Sequence, residues 1–255
     1  MPTIATWNVN SLRARLPHFV SWSAAKLPDV VALQETKVPD ADFPSDAIAA
    51  AGYHALYYGQ KTFNGVATLS RVPGELLGTG LPGFADPQCR VLLTRHASLR
   101  LLNLYVPNGA EVGSDKYQYK LAWLDALLAY VGELLRAPEP LIVLGDFNIA
   151  PEDRDVHDPM AWEGSVLVSS PERERYFRLL AIGLVDVFRL FPQPEGAFTW
   201  WDYRAAGFRR NLGLRIDLVL ASPATAAACR ACVIDREPRG WERPSDHTPV
   251  LATFA

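Results

Sequence analysis

LIVLGDFN, residues Leu141 to Asn148, is the stretch that decides how the rest of the chain is read. Four consecutive apolar residues held between Pro140 and Gly145 are too few for a helix and show no polar alternation. The spacing therefore predicts a short strand buried on both faces, as in sheets covered on each side. Gly145 allows a sharp turn at its end. Asp146 and Asn148 lie two residues apart and share one side if extended geometry persists. A carboxylate is a hard oxygen ligand or a proton acceptor, and an amide can donate to a phosphate oxygen. Alone, GDxN also suits a carboxylate that merely caps the next turn.

The same pattern occurs twice more. Thr3 to Val9 reads as a strand ending in Asn8, Val9 and Asn10, and Val30 to Leu33 as a strand ending in Gln34, Glu35, Thr36 and Lys37. Short buried strands thus deliver Asn8, Glu35 and Asp146 to their C-terminal ends, which form one pocket if the strands are neighbours. Ile216 to Leu220 is a further strand with an acid, Asp217, inside it. A carboxylate there is costly unless partnered, and His247, in the PSDH run just before the last strand (Val250 to Phe254), can supply the partner. An imidazole held by a carboxylate has its tautomer fixed and its basicity raised.

Between these strands, Pro17 suits the first turn of a helix reaching about Lys26. Phe43 to Ala51 suggests a short helix, and Tyr53 to Tyr58, Gly65 to Ser70, Arg90 to Thr94 and Leu99 to Val106 read as strands. Ser114 to about Arg136 carries Tyr117, Leu121, Leu124, Leu128, Val131 and Leu135 at helical spacing. The acidic run PEDRDVHDP after Ala150 is expected to be solvated and irregular, and Ser170 opens a helix to about Ile182. Phe198 to Tyr203 is extended and holds Trp200 and Trp201, whose side chains must face opposite ways. Arg204, Arg209, Arg210 and Arg215 follow, interleaved with Tyr203 and Phe208. That is either a solvated basic loop or a surface that grips a phosphate backbone.

At 255 residues, with 49% hydrophobic and 21% charged residues and no linker or repeat, the chain is expected to form one domain, residues 1–255, with a large core. No run reaches membrane-spanning length and no secretory leader is legible, so the expected location is the cytoplasm. The net charge of −3 provides no global basic field, so contact with nucleic acid has to come from a local patch. Three cysteines are too few for a disulfide framework. Cys229 and Cys232 form a CxxC, but an odd separation in a strand puts the thiols on opposite faces, against a metal role.

WNVNSLRAR (Trp7 to Arg15), LQETK (Leu33 to Lys37), GQKTFNGVA (Gly59 to Ala67), YVPNG (Tyr105 to Gly109), LGDFNIAP (Leu144 to Pro151), TWWDYR (Thr199 to Arg204), GLRIDLVLAS (Gly213 to Ser222) and PSDHTPV (Pro244 to Val250) together resemble, in order and along essentially the whole chain, the exonuclease III family of abasic-site endonucleases and 3′-exonucleases. The resemblance implies an α/β fold, a four-layer αββα sandwich like that of deoxyribonuclease I. It also implies a base-excision-repair enzyme that cuts the phosphodiester 5′ to an abasic site, trims 3′ ends, or does both. Its substrate would be double-stranded DNA with abasic sites or 3′ ends, worked on by a monomer associated with the nucleoid. A phosphoesterase of the same fold acting on other phosphoesters is the alternative.

By this resemblance Glu35 and Asp246 hold a divalent ion, Mg²⁺ or in its place Mn²⁺, with Asn8 and Asn10 in support; some members carry Asp at the position of Asn10. Asp146 orients or deprotonates the attacking water, Asn148 and His247 bind the scissile phosphate, Asp217 buttresses His247, and Tyr105 bonds the phosphate or leaving oxygen. Trp200 lines a pocket for a baseless sugar, with Trp201 or Leu214 packed beside it. Arg204, Arg209, Arg210 and Asn108 complete the DNA contacts.

Overall fold

The computed structural model describes residues 2–255. One sheet joins β1 (Thr3–Asn8), β2 (Val30–Gln34), β3 (His54–Tyr58), β4 (Val66–Ser70), β13 (Cys229–Ile234) and β14 (Val250–Phe254) in the order β13-β14-β1-β2-β4-β3. The other joins β5 (Glu75–Thr79), β6 (Val91–His96), β7 (Leu99–Tyr105), β8 (Leu141–Asp146), β9 (Val185–Asp186) and β12 (Asp217–Ala221) in the order β5-β6-β7-β8-β12-β9. A ribbon of β10 (Trp200–Trp201) and β11 (Gly213–Leu214) stands apart from both. The long helices are α1 (Leu12–Lys26), α3 (Asp115–Leu134) and α5 (Ser170–Ala181); α2 (Ser45–Ala50), α4 (Pro159–Trp162), α6 (Gly207–Arg210) and α7 (Pro223–Ala227) are short.

The apolar run of β8 shows why the layers form. Leu141 and Val143 face α3 and α5, packing with Trp123, Leu127 and Leu179, while Ile142 and Leu144 face the other sheet, packing with Ile4, Ala32 and Val250. On the far side of the first sheet, Trp7, Val31 and Leu33 pack against Leu12, Phe19 and Trp22 of α1. A strand apolar on both faces needs cover on both faces, and two such sheets with helices outside give the αββα order of layers.

Register then gathers the strand ends. β1 and β2 are parallel, with Asn8 opposite Gln34. β7 and β8 are parallel, with Tyr105 opposite Asp146, and antiparallel β12 sets Asp217 opposite the same Asp146. The strand runs through Gly145 rather than turning there. A side chain on Gly145 (φ +142°) would stand 2.0 Å from the Leu104 carbonyl oxygen, so glycine is needed for close approach to β7.

Several expectations are corrected. α1 begins at Leu12, because the Ser11 side chain caps Ala14 N, so Pro17 lies inside the helix. The buried stripe of α3 is Tyr117, Lys120, Trp123, Leu124, Leu127 and Val131, turned by about one residue from the predicted face. An irregularity between Cys229 and Ala231 turns both Cys229 and Cys232 inward as free buried thiols. In the acidic run, Asp155 is buried rather than solvated: it pairs with Arg215 at 2.7 Å, and Arg215 also reaches Asp186 at 2.8 Å. Arg215 therefore leaves the basic surface.

His96 closes β6 at 6% exposure, with Nε2 3.0 Å from Thr94 Oγ1 and Nδ1 unpartnered. Burial lowers its pKa from 6.5 to about 4. The unfolded chain takes up a proton near pH 6.5 that the folded chain refuses until about pH 4. Stability is therefore full above pH 6.5 and drains as the pH falls toward 4, by up to about 3 kcal/mol from this group. His96→Leu is expected to lack that share of the loss. Urea unfolding of both proteins at about pH 7 and about pH 4.5 checks this, and an equal drop in the two would refute it.

Candidate active site

Asp146, His247, Asp217 and Asn8 are buried side by side where the strand ends meet, with Glu35 and Tyr105 partly exposed at the mouth. The Asn8 carboxamide donates to Glu35 Oε1 (2.8 Å) and Asp146 Oδ2 (2.9 Å), tying the two sheets together. His247 Nδ1 lies 2.8 Å from Asp217 Oδ2, and its Nε2 lies 3.7 Å from Asp146 Oδ2. Asp146 Oδ1 accepts from Asn148 N at 2.9 Å, so it caps the following turn as well as facing the site. Extended geometry does not persist: Asn148 has φ +49°, and its side chain donates to Val106 O (2.9 Å) and accepts from Asn108 (3.2 Å). Asn10 (φ +44°) and Glu35 (φ +50°) share this left-handed backbone, a strained state typical of functional sites.

Charge crowds here. Burial, with Asp217 and Glu35 adding to it against the pull of His247, raises the Asp146 carboxyl to about 7. Burial alone would lower His247, but Asp217 and Asp146 outweigh it and push the imidazole up to about 10. Tyr105 is driven well above its ordinary value by burial and by Glu35 and Asp146, while the Arg90 guanidinium lies 4.7 Å over its ring.

Oxygen atoms of Glu35 and Asp146 and a ring nitrogen of His247 lie within 4.8 Å of one another. Asp217 Oδ1 is buried with no hydrogen-bond partner. An excess of hard oxygen donors in a shielded cleft fits a hard divalent cation. Asp246 is not one of that group. It accepts from Asn10 Nδ2 (2.9 Å) and Trp200 Nε1 (3.0 Å), and these bonds and His247 hold its carboxyl below the usual range despite burial.

The aromatic pair divides as alternation requires. Trp200 is half-buried beside the site, bridged to His247 and paired with Leu214. Trp201 is fully buried, edge-on to Phe208, and Leu214 is fully buried too. Trp201 and Leu214, expected beside Trp200 among the DNA-binding residues, thus have no exposed surface of their own. Arg204, Arg209, Arg210 and Asn108 are exposed.

Three positions escaped the sequence reading as members of the site. Lys37 Nζ meets Glu35 at 2.9 Å and Asn10 Oδ1 at 2.6 Å. Thr199 Oγ1 accepts from the Ile216 and Asp217 amides (3.0 and 3.1 Å), fixing the start of β12. Ser245 Oγ donates to Asn8 O (2.7 Å) and accepts from His247 N (3.2 Å). All three fall within the quoted motifs, so the signal was present without an assigned role.

The chain is similar to known proteins over nearly its whole length. Residues 5–247 match the model of the Endonuclease/Exonuclease/phosphatase family. The chain is 36% identical to "Exodeoxyribonuclease III" of Haemophilus influenzae over 98% of each chain. Among solved structures it is similar to a 3′ phosphatase from Neisseria bound to a product DNA hairpin (TM-score 0.98, 43% identity, 100% of each chain). It is also similar to an AP endonuclease from Archaeoglobus fulgidus (TM-score 0.95, 38% identity, 100% of this chain and 99% of that one). On sequence and fold together, the chain belongs to the endonuclease/exonuclease/phosphatase family, in its exonuclease III branch.

Proposed function

We propose that this protein is a Mg²⁺-dependent DNA-repair nuclease that cuts the phosphodiester 5′ to abasic sites and removes nucleotides or blocking phosphates from 3′ ends. The observation that carries the reading is the buried line Asp217, His247, Asp146 with Glu35 beside it. Both reactions break the same bond: water attacks phosphorus, the P–O3′ bond parts, and a 3′-hydroxyl remains. Asp146, with its raised pKa and its Oδ2 3.7 Å from His247 Nε2, takes the proton of the attacking water. His247, charged through most of the pH range, and the Asn148 amide hold the scissile phosphate. Asp217 orients His247, and the Tyr105 hydroxyl, kept protonated by its surroundings, donates to the phosphate or the leaving oxygen.

Glu35 is the anchor for Mg²⁺, with Asp246 and the carboxamides of Asn8 and Asn10 in support and Mn²⁺ an acceptable substitute. When bound, the ion supplies charge that neutralises the phosphate. Half-buried Trp200 walls the space for a baseless sugar, whose extrusion costs little because its stacking is already lost. The protein works as a monomeric single domain in the cytoplasm on nucleoid DNA; no helix among the described residues is long and apolar enough to cross a membrane.

End-labelled duplexes test the reading: one with an internal abasic analogue, one with a recessed 3′-hydroxyl and one with a 3′-phosphate, each with Mg²⁺ and with chelator. Release at the lesion or at the 3′ end that chelator abolishes is expected. Hydrolysis of non-DNA phosphoesters with all three duplexes intact would overturn it. The exposed Arg204, Arg209 and Arg210 provide the local grip that a net charge of −3 does not. Replacing all three by Gln should weaken binding alike for all sequences and flatten the slope of log K against log salt by up to about 3, since each phosphate contact contributes about 0.9. An unchanged slope would remove these arginines from the interface.

A further inference from the structure

α3 buries a lysine on its inner face. Lys120 is 0% exposed, and its ammonium has three partners: Asn108 O at 3.0 Å, Asn148 O at 2.6 Å and the Glu172 carboxylate. Glu172, equally buried, also accepts from Leu167 N (3.0 Å), Ser169 N (3.1 Å) and Ser169 Oγ, so the charges and their donors are matched. A buried ion pair is weak evidence for stability, because apolar residues of the same volume serve a core as well or better. Its partners point to another role.

The two carbonyls belong to the two asparagines whose side chains meet in the candidate site, Asn108 Nδ2 donating to Asn148 Oδ1 at 3.2 Å. They leave neighbouring parallel strands, β7 and β8, on separate loops. Asn148 is held at φ +49°, and the carbonyl it turns toward Lys120 accepts the shorter of the two bonds. The other loop lies against the lysine stem, since a side chain on Gly109 (φ +95°) would stand 3.0 Å from Lys120 Cδ.

We infer that Lys120 is a positioning residue: its ammonium clamps the carbonyls of Asn108 and Asn148, holding the left-handed turn that aims both carboxamides at the phosphate, and Glu172 carries the clamp to the 167–169 loop. The inference rests on the proposed nuclease function for what the carboxamides do, but not for the clamp itself. It assigns Lys120 no contact with DNA.

Two variants separate clamp from core. Glu172→Gln leaves Lys120 in place, where even a neutral amine keeps two N–H groups for the two carbonyls. Lys120→Met in that Glu172→Gln background removes those donors without leaving an unpaired buried charge. Both should lose thermal stability. Only the double variant should lose about 30- to 100-fold in single-turnover rate on the Mg²⁺-loaded duplex substrates, the scale of a small misplacement of reacting groups. Its dissociation constant for DNA should stay within about threefold, because no contact is removed. Side-chain amide NMR signals of Asn108 and Asn148, read on the protein alone, should move in the double variant and hold in Glu172→Gln. Equal rates in the two variants, or amide signals that shift alike in both, would overturn the clamp. Wild-type protein that cuts none of the duplexes would sink the functional reading instead, and the amide signals would still decide the clamp.

Discussion

Asp146→Asn is expected to lower the cleavage rate by about 10³-fold or more, within the range for loss of a positioned general base and its charge, while DNA affinity stays close to wild type. The isosteric amide keeps the shape of the buried site but cannot take a proton from water. The same substitution should make the metal-free protein more stable at pH 8. The folded carboxyl titrates near 7, raised by burial above its ordinary 3.8. Above pH 3.8 the unfolded chain releases a proton that the folded chain holds, so stability drains as the pH rises toward 7 and remains lost above it. Removing the acid removes that loss. Asn offers one acceptor where Asp146 uses two, for Asn148 N and Asn8 Nδ2, so part of the gain is returned. The net expectation is a melting temperature higher by at least about 2 °C, since about 1 kcal/mol moves a chain of this size by 2–4 °C. Single-turnover cleavage, filter binding and thermal melts at pH 8 with chelator check the three parts. A variant that cuts at near wild-type rate would end the assignment of Asp146; one that is inactive but less stable would keep the chemistry and contradict the electrostatics.

Activity and stability opposed at one residue also explain what was readable in advance. The run Leu141 to Leu144 announced its strand because apolar residues on both faces have few places to go, and the acid at its end stood out because it contradicts that pattern. Asp217 inside its strand was visible for the same reason. What stayed hidden depended on backbone geometry that no spacing encodes. Asn148 reaches the site through φ +49°, not through the period of an extended strand. Cys229 and Cys232 share a side only because of an irregularity in β13. Lys120 is not legible because a lysine at helical spacing belongs by default to the solvated face, and the apolar spacing of α3 runs through Leu121 instead. Asp155 lay in a run of charges that reads as solvent-facing, yet it meets Arg215, some 60 residues away, inside the protein. Pairing of buried opposites across the sequence is settled by tertiary packing. Glu35, Asp146 and His247, each in a different exonuclease III motif, come together in the fold, but no motif shows that Asn8 is the amide bridging the first two.

Asp217→Asn tests the other end of the line. Asp217 touches neither solvent nor the cleft mouth, so its effect must pass through His247, whose Nδ1 it meets at 2.8 Å. Burial alone would depress the imidazole, and Asp217 is the first of the groups that reverse this and carry it to about 10. Without that carboxylate the folded His247 loses its main reason to be charged, and its pKa falls toward or below the ordinary 6.5. Two results are expected together. The rate at neutral pH drops by about 10²-fold or more, because a neutral ring of unfixed tautomer holds the phosphate poorly. The alkaline limb of the rate profile, expected near pH 10 in the wild type from the raised His247 pKa, should move down by at least about two units as His247 now titrates lower. The second result separates orientation from charge. If the rate falls but the limb stays near 10, Asp217 serves only to aim the ring, and Asp146 alone keeps it protonated. If both shift, the buried acid sets the charge on His247 as well as its direction, and the charge of Asp217 is what keeps that imidazolium in place at physiological pH.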